Sequence, residues 1–196
     1  MCALCAETKP DPAISGPLFW SYIMEAKNDW SYDVTTRAGL NLHVRPVTSQ
    51  DEPALAEFFR HVSADDLRFR FLAGVREVSH ERLAAMTDVD HRQNENFLAF
   101  AEDGQTLAGT AMLACDAALD RGEVAISVRT DYKHKGVAWE LLRHIARYAE
   151  AKGVKTLESI ENRENHEAIE LERKQGFVAE AFPDDATLVL IRKQLG

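Results

Sequence analysis

Between Glu123 and Trp139 the apolar positions of this chain change period. Val124, Ile126 and Val128 alternate with small or polar residues, the pattern of a half-buried strand. From Val137 onward the period lengthens. Val137, Leu141, Leu142, Ile145, Tyr148 and Ala149 recur at spacings of three and four, which predicts a helix that stops near Gly153. Before this junction, 32–36 and 40–45 read as short strands around the turn Arg37-Ala38-Gly39. Ser49-x-x-Glu52 reads as a capping box, with Pro53 in the first turn and Leu55, Phe58, Phe59 and Val62 as the apolar stripe of a helix. A second helix is expected over 65–72, broken at Gly74, and a third begins at Ser79 with Leu83 and Met86 inward. Segments 97–101 and 107–115 pair as a hairpin across Glu102-Asp103-Gly104. After the long helix, 154–160 reads as a strand, 165–175 as a helix, and 177–182 with 187–192 as a closing hairpin. Two leading strands, helices, a meander and then a strand-helix alternation imply an α+β domain with a mixed sheet.

The first 31 residues stand apart from this pattern. Pro10, Pro12, Gly16 and Pro17 interrupt them, yet 18–24 are apolar and aromatic, and Trp30-Ser31-Tyr32 echoes Trp20-Ser21-Tyr22. Solvated tails rarely carry two tryptophans, so residues 1–31 are expected to form an arm that packs on its own domain or on a partner subunit; a lid over the functional site is the alternative. Residues 32–196 form the domain.

The bulk composition narrows the function classes. A chain of 196 residues, 45% hydrophobic and 28% charged, is an ordinary globule that buries a core without staples. Its 23 Lys+Arg against 32 Asp+Glu, a formal charge of -9, argue against a general nucleic-acid binder or a peripheral membrane protein, and fit a basic protein or amine as substrate. Cys2, Cys5 and Cys115 do not make a disulfide framework, and Cys2-x-x-Cys5 lacks the second pair or nearby histidine of a metal site. No metal is expected. With no apolar run of membrane-spanning length and no signal-peptide pattern, a cytoplasmic location is the expectation.

Candidate chemistry concentrates in the turn Thr130-Asp131-Tyr132-Lys133-His134-Lys135-Gly136. A helix N-terminus presents free N–H groups and the positive end of its dipole; two lysines and a glycine add charge and room, which suits a phosphate or pyrophosphate.

Lys133-x-x-Gly136-x-Ala138 resembles the pyrophosphate motif of the GNAT superfamily of acyl-CoA N-acyltransferases, Gln/Arg-x-x-Gly-x-Gly/Ala. Asn165, Ala168, Leu171, Lys174 and Gly176-Phe177 resemble its second signature, in the right order and on the expected elements. The resemblance runs from about Tyr32 to the end. Gly39, Val44-Arg45-Pro46, Asp51, Leu67, Arg70-Phe71 and 86–90 look like the subgroup of bacterial protein lysine acetyltransferases. It implies a mixed, mostly antiparallel sheet of about seven strands with a central splayed parallel pair, flanked by about four to five helices. It also implies acetyl-CoA as acyl donor and cosubstrate. The chain departs from the pattern twice. Lys133 stands where Gln or Arg is usual, losing a bidentate fork, and Glu172 stands where many members carry the tyrosine that protonates the departing thiolate.

Amine acylation needs an amine without its proton, a polarised carbonyl and a stabilised leaving thiolate. By resemblance Glu123 is the general base, and the backbone N–H of Val128 polarises the carbonyl. Ile126, Ser127 and Val128 pair with the pantetheine arm as an added strand. Lys133, His134, Lys135, Gly136, Val137, Ala138 and Trp139 hold the pyrophosphate, and Asn165 either bonds the pantetheine or caps its helix. Asp90 and His91 suit a substrate-side pair or simply a turn. Cys115 has no histidine placed to activate it as an acyl carrier. The acceptor implied is a protein lysine; the alternatives are a small-molecule amine, or a non-catalytic module that senses acyl-CoA. A homodimer is the expected assembly.

Overall fold

The computed structural model describes residues 30–183 and 185–196. Among them eight strands form one sheet: β1 (Tyr32–Thr35), β2 (Asn41–Pro46), β3 (Asn94–Ala101), β4 (Leu107–Cys115), β5 (Arg121–Val128), β6 (Thr156–Asn162), β7 (Val178–Ala181) and β8 (Leu188–Gln194), in the order β1-β2-β3-β4-β5-β6-β8-β7. Only β5 and β6 run parallel. Five α-helices accompany them: α1 (Glu52–Arg60), α2 (Ala64–Phe71), α3 (His80–Thr87), α4 (Val137–Ala151) and α5 (His166–Lys174). The α+β architecture with its central parallel pair is as expected, with eight strands rather than about seven.

Two cores clasp the sheet. Phe97 and Ala99 of β3 face α4, whose stripe of Val137, Leu141, Leu142, Ile145, Tyr148 and Ala149 is buried against them. Leu98 and Phe100, one residue out of phase, face the other way onto Leu55, Phe58 and Phe59 of α1 and Leu83 and Met86 of α3. Burial on both faces explains why β3 reads as a continuous apolar run instead of an alternation.

Close approach of α4 to the sheet depends on Gly109 of β4. A Cβ there would lie 2.8 Å from Val137 and 3.0 Å from Leu141. The missing side chain therefore lets the first turn of α4 settle at the sheet's centre.

The capping box at Ser49 does not form. Asp51 is the N-cap of α1 and makes no side-chain cap bond. Its carboxylate instead accepts from Arg45 Nη1 at 2.8 Å and Nη2 at 2.6 Å and from Thr48 N at 2.7 Å, a fork-to-fork geometry that outcompetes helix capping. Glu52 pairs with His80 of α3. Ser63 and Ser79, by contrast, cap α2 and α3 through their hydroxyls.

Of the expected arm, residues 1–29 lie outside the described residues. Trp30 sits edge-on to Tyr148 and His144 of α4, ring centroids 5.1 and 5.9 Å away. No helix among the described residues is long and apolar enough to cross a membrane.

Candidate active site

The parallel ladder between β5 and β6 is short. It pairs Arg121 with Thr156, Gly122 with Leu157 and Glu123 with Glu158, and goes no further, although β5 continues to Val128 and β6 to Asn162. The strands part at Glu123, leaving a slot in the middle of the sheet. Which main-chain groups face it follows from parity. Arg129 N donates to Ala108 O at 3.0 Å and Arg121 O accepts from Asp116 N at 3.0 Å, both on the β4 side. The odd residues Glu123, Ala125 and Ser127 therefore direct their main chain to β4, and Val124, Ile126 and Val128 direct theirs into the slot. The expectation that Ser127 pairs with a ligand through its backbone is corrected accordingly.

A cavity of about 440 Å³ fills the slot and the turn beyond it. Of the residues picked out in the sequence, Glu123, Ile126, Ser127, Val128, Lys133, His134, Gly136, Val137, Ala138, Trp139 and Asn165 border it. Lys135 does not; its ammonium lies 5.1 Å from the centre of the Tyr132 ring. His91 pairs with buried Glu95 at 3.0 Å, and Asp90 accepts three backbone N–H bonds in a turn, so this pair is structural. Burial and the neighbouring Asp116 and Asp90 push the Cys115 thiol up, away from the thiolate that an acyl carrier needs.

At the outer end the turn winds tightly. His134 (φ 60°) and Gly136 (φ 87°) adopt the left-handed conformation, and Gly136 begins α4 with no side-chain cap. The N–H groups of that first turn are left for a ligand, as an anion cradle requires. Lys133 beside it is already engaged: its Nζ lies 2.9 Å from Asp66 of α2 and 3.6 Å from Glu167 of α5. Partial burial lowers the pKa of this ammonium, but the Asp66 hydrogen bond and the two carboxylate fields outweigh it and hold the pKa above the usual lysine value.

At the inner end the cavity is acidic around one guanidinium. Arg70 of α2 is half-buried, its Nε enclosed without a partner, and desolvation lowers its pKa against the fields of Glu123 and Glu161. Burial pushes the Glu161 carboxyl up to about 7, moderated by Asn165 Nδ2, which donates at 2.7 Å, and by Arg70. Asn165 thus holds Glu161 rather than capping α5. Glu123 is exposed on the same face. Asp66, Phe69, Arg70, Leu72, Glu161 and Glu167 were not singled out as site residues from the sequence. Only the Arg70-Phe71 pair gave a signal, through family resemblance, because helix α2 reaches the slot by tertiary packing.

A slot opened by parting parallel strands, running from an uncapped helix N-terminus to a carboxylate, is what an acyl-CoA transferase presents. The acetyltransferase (GNAT) family profile matches residues 57–177, and the chain belongs to that family, acyltransferases that use acetyl-CoA. An acetyltransferase of Pseudomonas aeruginosa is 28% identical over 159 residues, 80% of this chain and 86% of that one. The GNAT domain of PAT from S. lividans superposes with a TM-score of 0.80 at 25% identity, covering 87% of this chain and 100% of the other. The spermidine N-acetyltransferase of Vibrio cholerae, solved with CoA and spermine, shares the fold at a TM-score of 0.64 and 16% identity, over 79% of this chain and 95% of its own.

Proposed function

We propose that the protein transfers the acetyl group of acetyl-CoA to the side-chain amine of a protein lysine, by direct attack in a ternary complex. The observation that carries this reading is the position of Glu123, exposed at the point where the β5–β6 ladder ends and the slot begins. The pyrophosphate lies against the first turn of α4 and Lys133, and the pantetheine arm runs inward along the slot-facing main chain of Val128 and Ile126. Val128, expected from the sequence to polarise the acyl carbonyl, is five residues from Glu123 on one extended strand, about 17 Å at the usual rise. That separation is too great for both to serve one reacting centre. The N–H of Ile126, about 10 Å along the strand from Glu123, takes that role, and Val128 is left to the pantetheine. Glu123 removes a proton from the incoming ammonium, directly or through water. Phe69 and Leu72, the latter 43% exposed, offer an apolar wall to a lysine stem on the same side of the cavity.

Calorimetric titration with acetyl-CoA, followed by thiol release on a panel of lysine-bearing proteins and small amines, tests the reading. Micromolar binding, roughly -8 kcal/mol, and release with protein acceptors are expected; release with small amines alone would overturn the lysine acceptor, and binding without any release would leave a sensing module. The Lys133 ion pair yields a second expectation. Asp66→Asn leaves the ammonium only its longer contact to Glu167, so acetyl-CoA should bind about 2- to 5-fold more tightly at low salt, a gain that fades as salt rises. Unchanged affinity would mean that Lys133 does not reach the pyrophosphate.

A further inference from the structure

Acetyl-CoA carries a pyrophosphate and, beyond it, a phosphate monoester on the ribose 3′-oxygen. The first turn of α4 answers the pyrophosphate alone. Most cations around that turn are already committed: Lys133 to Asp66 and Glu167, His134 to Glu167 at 3.8 Å, and Lys174 to Glu170 at 2.7 Å. Lys135 lies within the turn, over Tyr132. Arg37 comes from a different element. It is exposed in the turn between β1 and β2, and among the described residues it has no hydrogen bond or ion pair. That turn is fixed by its neighbours. Gly39 N donates to Thr36 O at 2.9 Å and Leu40 N to Thr36 Oγ1 at 3.2 Å, and buried Thr36 packs so closely on the start of α4 that a Cβ at Gly136 would lie 3.1 Å from its own. The Arg37 Cζ thereby lies 5.1 Å from the centre of the Trp139 ring. Trp139 borders the cavity one helical turn beyond Gly136, and its carbonyl accepts from Gln175 Nε2 at 2.9 Å. Held over the indole, the guanidinium keeps its N–H groups for an acceptor outside the protein.

We propose that Arg37, carried on the indole of Trp139, is the docking point for the 3′-phosphate of the acyl donor, so that the protein distinguishes acetyl-CoA from 3′-dephospho-acetyl-CoA. The proposal rests on the placing of the pyrophosphate at the first turn of α4 argued above. With the pyrophosphate there, the ribose leaves the cavity past its rim, and Arg37 stands just outside that rim beside a residue that lines it. A phosphate monoester is close to a dianion at neutral pH, its second ionisation falling near pKa 6, and its three oxygens match the fork of a guanidinium better than that of an ammonium. Charge balance adds weight to the contact. A chain of formal charge -9 repels a polyanionic donor as a whole, so an uncommitted cation at the mouth offsets a field that the paired lysines do not.

Calorimetric titration of the whole chain with acetyl-CoA and with 3′-dephospho-acetyl-CoA tests this, on wild type, Arg37→Ala and Arg37→Lys. Wild type should bind acetyl-CoA about 10-fold more tightly than the dephospho donor at low salt, a gap that narrows as salt rises. Arg37→Ala should lose about 5- to 10-fold for acetyl-CoA, stay within about 2-fold for the dephospho donor, and so lose the discrimination. Arg37→Lys keeps the charge without the fork and should fall between the two. Equal affinity of wild type for both donors would overturn the subsite, and so would an Arg37→Ala loss that is the same for both, which would make Arg37 a support for Trp139. Should the alanine variant not fold, as judged by circular dichroism, the lysine variant decides: a narrowed gap between donors supports the subsite and an unchanged gap refutes it. Binding of neither donor by wild type would overturn the acetyl-CoA reading and the subsite together, whereas equal binding of both sinks the subsite alone.

Discussion

Glu123→Gln is expected to lower kcat by about 10³-fold, equivalent to roughly 4 kcal/mol of barrier, while acetyl-CoA binds with wild-type affinity. The separation of effects follows from placement. Glu123 stands at the inner end of the slot, and the groups proposed to hold the donor, the first turn of α4 and the slot-facing main chain of β5, lie toward the outer end. Glutamine keeps the size and polarity of the side chain and loses only the ability to take a proton. The defect should narrow as pH approaches the lysine range near about 10, where more of the acceptor arrives already deprotonated. Initial-rate assays of thiol release from pH 6 to 10, with calorimetry on the same protein, check both halves. A loss in donor affinity that matched the loss in kcat would make Glu123 a structural residue; a rate within a few-fold of wild type would remove it from catalysis.

Gly109→Val should be the most damaging small change outside the reacting groups. Its Cβ would meet Val137 at 2.8 Å, Leu141 at 3.0 Å and the Ser127 carbonyl oxygen at 3.2 Å, and the last of these belongs to backbone that has nowhere to retreat. Overpacking of a closed core costs about 1–3 kcal/mol, and the extra methyls place this case at the upper end. For a domain of this length that is a fall in Tm of roughly 6–12 °C. The same push displaces the first turn of α4, so acetyl-CoA affinity should weaken by about 10-fold in the molecules that remain folded. Thermal denaturation followed by circular dichroism, with and without acetyl-CoA, separates the two effects. A Tm within 2 °C of wild type would show that α4 can shift without loss.

The anion turn and its helix were legible because both rest on local signals. The stripe of α4 has a period that only a helix explains, and Gly136, at φ 87°, is needed where it stands. The two faces of β3 were not separable, since a strand buried on both sides shows no alternation. Helix α1 misled for an instructive reason. Ser49-x-x-Glu52 satisfies the local rule for a cap, but Arg45 and Thr48 recruit Asp51 and the chain turns two residues later. The inner acidic wall had no local signature. Arg70 is far in sequence from Glu161 and Glu172, and the three share a cavity only because α2 and α5 flank the parted strands. Glu172, marked in the sequence as a departure from a family pattern, is buried and accepts a hydrogen bond from Ser159 Oγ at 2.6 Å.

The brevity of the β5–β6 ladder has a consequence for descent. A recognition surface made of missing rungs is encoded by peptide groups, which every residue type carries alike. Substitutions along Val124, Ile126 and Val128 can exchange one apolar side chain for another and leave the donor's partners in place. On the proposed reading, acceptor choice rests instead on side chains such as Phe69 and Leu72. On that reading the donor half of the site is written in the backbone and the acceptor half in exchangeable side chains.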